Sequence, residues 1–362
     1  MPELPEVETV RRELEEKILD QPIELIEVID PLVTRDSQLD LELLRGRSFR
    51  SIRRIGKLLQ FFFDDESLVL LAHLKMTGQF LYVDQGEVMA GVFPLLYASV
   101  RGGRPELRAG GPDNSPARHQ AGCPLLEREG YWGKEGVLSL LGRETVWGGF
   151  GRLQHTSALD APRLTWDERL LGGGGRVSFD KHTQVVFQLE NGSRLIYRDV
   201  RKFGYLKLVP VGALVEIEAK YGPDPLHEGY TFERFRQAFH GRKKSLKAVL
   251  MDQSLIAGLG NIYADEICHR VGIRPMRAAS RLRKKDLEAI YEASKEVIQA
   301  ALRCGGTTMR DFARSDGSAG NFAFQLQVYG RTGELCSTCG LGLIQKVVHI
   351  QRGTHFCGKC QL

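Results

Sequence analysis

The sequence predicts an α+β protein of two domains, on three observations. The first half carries runs rich in β-branched and aromatic residues, at 48–63, 68–74 and 193–197, separated by turn signals. From Thr231 onward the apolar period becomes helical, with Phe232, Phe235 and Phe239 on one stripe and Leu246, Val249 and Leu250 on the next. Four of the seven cysteines form two Cys-x-x-Cys pairs near the C-terminus.

With 362 residues the chain can bury two cores. Its 42% hydrophobic and 26% charged residues describe a globular protein, and no apolar run approaches the ~20 residues of a membrane span. The acidic N-terminus is unlike a secretory signal, so a cytoplasmic location is the default expectation. A net charge of +5 is compatible with a polyanionic partner without specifying one.

The chain opens Met1-Pro2-Glu3-Leu4-Pro5-Glu6. Removal of Met1 before the small Pro2 would leave a secondary α-amine titrating near pH ~8, far below a lysine. Such an amine can attack an electrophilic carbon and form a Schiff base, and Glu3 places a proton donor or acceptor beside it. Val7, Val10, Leu14 and Ile18 make one helical stripe over 6–19, which would fix the amine on a rigid element. Residues 23–29 read as a strand ended by Pro31. Residues 48–63 and 68–74 read as two strands around Asp64-Asp65-Glu66.

From about 86 to 176 Gly, Pro and Arg become frequent and periodicity fades, so a disordered insertion is expected there. Strands return at 176–188 and 193–197, joined by the hairpin signal Asn191-Gly192. Arg201 and Phe203, two apart, share a face. Tyr221-Gly-Pro-Asp-Pro225 marks a boundary. The divisions are therefore 1–210, a linker at 211–225, a helical domain at 226–325 and a terminal hairpin at 326–362.

In the helical part, Gly258 and Gly260 permit a tight turn and Asn261 would cap the helix that follows. A helix start of this kind binds phosphate, and the run Arg242, Lys243, Lys244, with Lys247 close behind, adds positive charge. Cys336, Cys339, Cys357 and Cys360 give four thiolates for one closed, structural Zn2+, whose binding would fold a hairpin too small to hold a core. Arg352 sits where that hairpin would turn and could grip a phosphate with both arms of its guanidinium.

The opening Met-Pro-Glu-Leu-Pro-Glu-Val-Glu-Thr-Val, the Ala257–Glu266 signature and the cysteine hairpin together resemble the formamidopyrimidine-DNA glycosylases, bacterial enzymes that excise oxidised purines. The similarity covers about three quarters of the chain and lapses only near 86–176, where that family has a short loop. The resemblance implies an N-terminal antiparallel β-sandwich flanked by helices, a helix–two-turn–helix domain and a zinc-finger hairpin. It implies a monomer acting on double-stranded DNA with oxidised bases or abasic sites, by β- and δ-elimination. Carried over residue by residue, it makes Pro2, Glu3, Lys57 and Arg352 catalytic. It makes Met76, Arg201 and Phe203 fillers of the void in the duplex, and it assigns His182, Arg242, Lys247 and Asn261 to DNA contact. Two rivals remain open: the sister enzyme for oxidised pyrimidines, endonuclease VIII, and a lesion-binding homologue without catalysis.

Overall fold

The computed structural model describes residues 1–85, 167–170, 176–179, 181–308, 315 and 320–362. Helix α1 spans Leu4–Ile18, and its stripe Val7, Val10, Leu14 and Ile18 is wholly buried. Two four-stranded antiparallel sheets follow. One has the order β1 (Ile23–Val28), β8 (Thr183–Leu189), β9 (Arg194–Asp199), β5 (Gly78–Val83). The other has β10 (Tyr205–Pro210), β4 (Leu68–His73), β3 (Leu58–Phe63), β2 (Phe49–Ile55). Phe49, Phe61 and Phe63 of one sheet meet Phe80, Phe187 and Tyr197 of the other in a single core shared with α1. Each of these fully buried aromatic or aliphatic side chains contributes about 1.5–3 kcal/mol relative to exposure.

The strand expected over 48–63 is two strands. The chain reverses at Gly56, whose φ of +56° suits a residue without Cβ, and Lys57 stands in the turn. The strand expected over 176–188 is likewise divided into β7 (Arg176–Phe179) and β8. The insertion expected at 86–176 lies outside the described residues, save β6 (Asp167–Leu170) and the first residue of β7. These two strands pair antiparallel, and β6 stands where no regular element was expected. That pair of strands falls outside the compact unit that holds 1–85 and 182–362.

The helices are α2 (Leu214–Glu218), α3 (Phe232–Phe239), α4 (Leu246–Leu250), α5 (Asn261–Arg270) and α6 (Lys284–Arg303). The final pair of strands, β11 (Ile344–His349) and β12 (Arg352–Cys357), packs on α5. No helix among the described residues is long and apolar enough to cross a membrane.

A buried ion triad ties these parts together. Arg54 of β2 meets Glu8 of α1 at 2.9 Å and also pairs with Asp224 of the 221–225 segment. Burial alone would raise Glu8, but hydrogen bonds from Arg11 and the charge of Arg54 outweigh it and hold the carboxyl at about 2. Because this lies below the unfolded value, the contribution is complete above about pH 4.5 and is lost as pH falls through about 2. Urea titrations from pH 5 to 2 should therefore show a loss of up to roughly 3 kcal/mol that Glu8→Gln flattens. Glu6, raised by burial, works in the opposite direction.

Candidate active site

The start of α1 is pinned to the Gly258 turn. The N–H of Leu4 donates to the Gly258 carbonyl at 3.0 Å, and Pro2 and Glu3 are buried. The carboxylate of Glu3 accepts from the N–H groups of Ile262 at 3.0 Å and Tyr263 at 3.4 Å, the first turn of α5. Asn261 was expected to be this helix's N-cap, but Gly260 holds that position. Glu3, more than 250 residues away in the chain, supplies the missing acceptor. A Cβ on Gly260 would lie 2.5 Å from Glu3 Oε1 and 2.6 Å from Lys57 Nζ. Carboxylate and amine thus flank one bare backbone point, and a side chain at residue 260 would collide with both.

Lys57 is 5% exposed. Burial pushes its amine below the usual lysine range; Glu3 and Glu6 act against that shift, and the nearby positive charges of Arg352 and Lys75 reinforce it. Beside it, burial and the charges of Lys75 and Lys57 push His73 down to about 3. The ring is therefore neutral at ordinary pH, and its Nδ1 accepts the Lys75 N–H at 3.0 Å.

Arg352 begins β12 at the tip of the hairpin and is exposed. The turn before it places both Ile350 (φ +48°) and Gln351 (φ +57°) in the left-handed region, as a two-residue hairpin with strands of natural twist requires. For β-branched Ile350 that conformation is strained. Three elements, the start of α1, the β2–β3 turn and β12, thus bring Glu3, Lys57 and Arg352 within reach of one another's charges, with Pro2 directly before Glu3.

Asn261 donates through Nδ2 to the Gly353 carbonyl at 3.1 Å and to the Tyr329 hydroxyl at 3.3 Å. Lys247 departs from the phosphate contact expected of it. It is fully buried, pairs with Asp265 at 2.8 Å, and donates to the Gly353 carbonyl and the Thr354 hydroxyl. Two of its ammonium hydrogens go to the hairpin and Asp265 balances its charge, so it braces the hairpin behind Arg352 and offers no charge to the surface. Arg242 is exposed ahead of α4. Met76 is half-buried in the turn between β4 and β5, while Arg201 and Phe203 are exposed between β9 and β10. The Arg201 guanidinium lies 4.7 Å from the Phe203 ring centre. His182, half-buried, precedes β8, and its carbonyl accepts the N–H of Asp199 at 2.9 Å.

Sequence reasoning missed three buried acids. Glu6 accepts from the Glu3 N–H at 2.8 Å, from the Thr307 N–H at 2.7 Å and from the Tyr263 hydroxyl. Its signal was the Glu-x-x-Glu spacing at a helix start. Asp265 and Glu266 stand inside the Ala257–Glu266 signature. Asp265 holds Lys247 and the His355 N–H, while Glu266 accepts the N–H groups of Gln327, Val328 and Tyr329 at 2.9, 3.0 and 2.9 Å.

The four C-terminal sulfurs lie within 4.8 Å of one another, with Cys336 to Cys360 at 3.8 Å and Cys339 to Cys357 at 3.7 Å. A tetrahedral ion with bonds of ~2.3 Å requires sulfur separations of about 3.8 Å, so the donor set fits zinc. The N–H groups of Leu341 and Gly342 pull the Cys339 thiol down to about 6, whereas burial and the crowded neighbouring thiols push Cys360 up.

Residues 1–116 match the family model described as the formamidopyrimidine-DNA glycosylase N-terminal domain, and residues 221–313 match its H2TH domain. The formamidopyrimidine-DNA glycosylase of Ligilactobacillus salivarius is 30% identical, with 100% of this chain and 99% of that protein covered. That of Roseiflexus is 40% identical over 182 residues, half of this chain and 66% of that protein. Among solved structures, the Lactococcus lactis enzyme bound to abasic-site DNA aligns with a TM-score of 0.68 at 30% identity, covering 99% of each chain. By length, order and identity of match, the chain belongs to the formamidopyrimidine-DNA glycosylase family.

Proposed function

We propose that this protein is a base-excision-repair DNA glycosylase with an associated lyase step, acting on oxidised purines and abasic sites in duplex DNA. The curated relatives bear the glycosylase name. Solved neighbours hold DNA containing an abasic site or a formamidopyrimidine deoxyguanosine. The single observation that carries the chemistry is the seat of residue 2. It is buried and directly precedes a carboxylate fixed by two helix N–H groups, and that carboxylate shares the bare backbone at Gly260 with a buried lysine whose pKa is lowered.

In this reading the lesion is flipped out of the stack, and Met76, Arg201 and Phe203 fill the gap. The Pro2 amine, freed of Met1, bonds to the sugar C1′. The C1′–N bond breaks and the base departs with its electron pair, taking up a proton. Glu3 protonates the ring oxygen as the sugar opens to the imine. That imine acidifies the C2′ hydrogen, whose loss expels the 3′ phosphate, and a second elimination expels the 5′ phosphate. Lys57 and Arg352 hold the flanking phosphates, and Asn261, Arg242 and His182 extend the grip along the strand. Lys247 acts through the hairpin it braces. Cys336, Cys339, Cys357 and Cys360 would hold one structural Zn2+, which supplies folding energy and no catalysis. Residues 1–210 would then be the catalytic part, 226–325 the DNA-gripping part and 326–362 the metal hairpin, with 211–225 linking them.

Borohydride reduction of the protein with an 8-oxoguanine duplex should give a covalent adduct whose digest places the DNA on Pro2. Absence of an adduct under conditions that cleave the strand would count against the scheme. A second reading is favoured by one neighbour, the Lactococcus lactis enzyme solved with DNA carrying an oxidised pyrimidine. A cleavage panel of 8-oxoguanine against thymine glycol separates the two.

A further inference from the structure

We infer that Asp199 is a positioning residue that couples the Met76 turn to the Arg201–Phe203 loop, so that the three void-filling side chains enter a duplex as one unit; this rests on the glycosylase reading above. Asp199 ends β9 and is wholly buried. Its Oδ1 accepts the hydroxyl of Thr77, the residue next to Met76, and the N–H of Arg201 at 3.1 Å. Its Oδ2 accepts the N–H of Gly204, the residue after Phe203, at 2.7 Å. The Thr77 hydroxyl oxygen also accepts the Arg201 N–H at 3.0 Å. One carboxylate therefore grips both loops, and Thr77 is the stitch between them.

The loops need such a grip. Lys75 (φ +50°) and Lys202 (φ +56°) hold left-handed conformations just before Met76 and between Arg201 and Phe203. Phe203 is 54% exposed, with the Arg201 guanidinium 4.7 Å from its ring centre. Beneath the loops, the Tyr197 hydroxyl lies so close to Gly78 and Gly204 that neither could carry a side chain; a Cβ on Gly78 would sit 2.6 Å from it. Every donor to Asp199 that reaches from these loops requires an acceptor, which both carboxylate oxygens provide. An amide would turn an N–H toward that of Gly204.

The test compares Thr77→Val, nearly isosteric, with Thr77→Ser, which keeps the hydroxyl. Substrates are an 8-oxoguanine duplex with C or A opposite, and an abasic site in single-stranded DNA, where there is no partner base to replace. Thr77→Val should lower kcat/KM on the duplex about tenfold, the size of one charge-assisted hydrogen bond. It should narrow the C-over-A preference and leave the single-stranded abasic site within about twofold. Thr77→Ser should restore duplex activity, and Asp199→Asn should exceed Thr77→Val in its effect. Wild-type duplex activity in Thr77→Val, equal losses on both substrates, or no rescue by serine would each overturn the inference. Fluorescence of 2-aminopurine opposite an abasic analogue reads the loops without turnover. It should rise on binding wild-type protein and much less with Thr77→Val, and an equal rise overturns the coupling. Wild-type protein inactive on both substrates yet giving that fluorescence difference would strike the glycosylase reading and spare the coupling.

Discussion

Glu3→Gln is expected to slow base excision by about 10²–10⁴-fold, the range of a positioned general acid, while moving thermal stability little. The amide oxygen can still accept the Ile262 N–H at the start of α5, so the long-range cap survives while the ionisable carboxyl proton is gone. Glu3→Ala removes both. It should lose activity to the same degree and also cost about 1 kcal/mol, the usual value of an N-cap acceptor. Single-turnover excision and thermal melts of the two variants check this together. A glutamine variant that excises at the wild-type rate would remove Glu3 from the chemistry. An alanine variant as stable as wild type would remove it from the cap.

Cys357→Ala, or prolonged chelation, should abolish DNA binding and cleavage together. The hairpin's own core is only Val328, Cys336, Ile344 and Cys357, so a bound ion would have to supply the folding energy, about 10–16 kcal/mol in isolated zinc peptides. With the hairpin unfolded, Arg352 loses its place. Lys247 and Asn261 lose the Gly353 carbonyl they share, and Asp265 loses the His355 N–H. An affinity loss of at least about 10²-fold follows from removing these contacts at once. Metal content, near-ultraviolet circular dichroism and duplex affinity, each before and after zinc is restored, make the measurement. Metal-free protein that binds a lesion duplex with undiminished affinity contradicts it.

Local pattern in the sequence revealed what depends on local physics. The α1 stripe lies wholly in the core, Asn191-Gly192 joins β8 to β9, and the two cysteine pairs come together as four sulfurs. What escaped were contacts between distant residues. Asn261 had the side chain of a cap, yet the acceptor comes from Glu3. Lys247 read as one more member of a basic run because its partner, Asp265, meets it only once α4 packs on α5. The reversal at Gly56 was hidden inside a stretch whose residues all favour strands. Thr77 and Asp199 carry no motif at all; their importance comes from β5 pairing with β9.

The cap that Glu3 provides has a consequence for how such proteins can be recombined. A chimera with its crossover between 211 and 223 would inherit a helix α5 whose first amides expect an acid from the opposite parent. It would also inherit an Arg54 that expects Asp224 from across the same seam. Exchange of halves is therefore constrained by a few matched charges more than by overall similarity, and parents that keep both pairs are the ones whose halves can be interchanged.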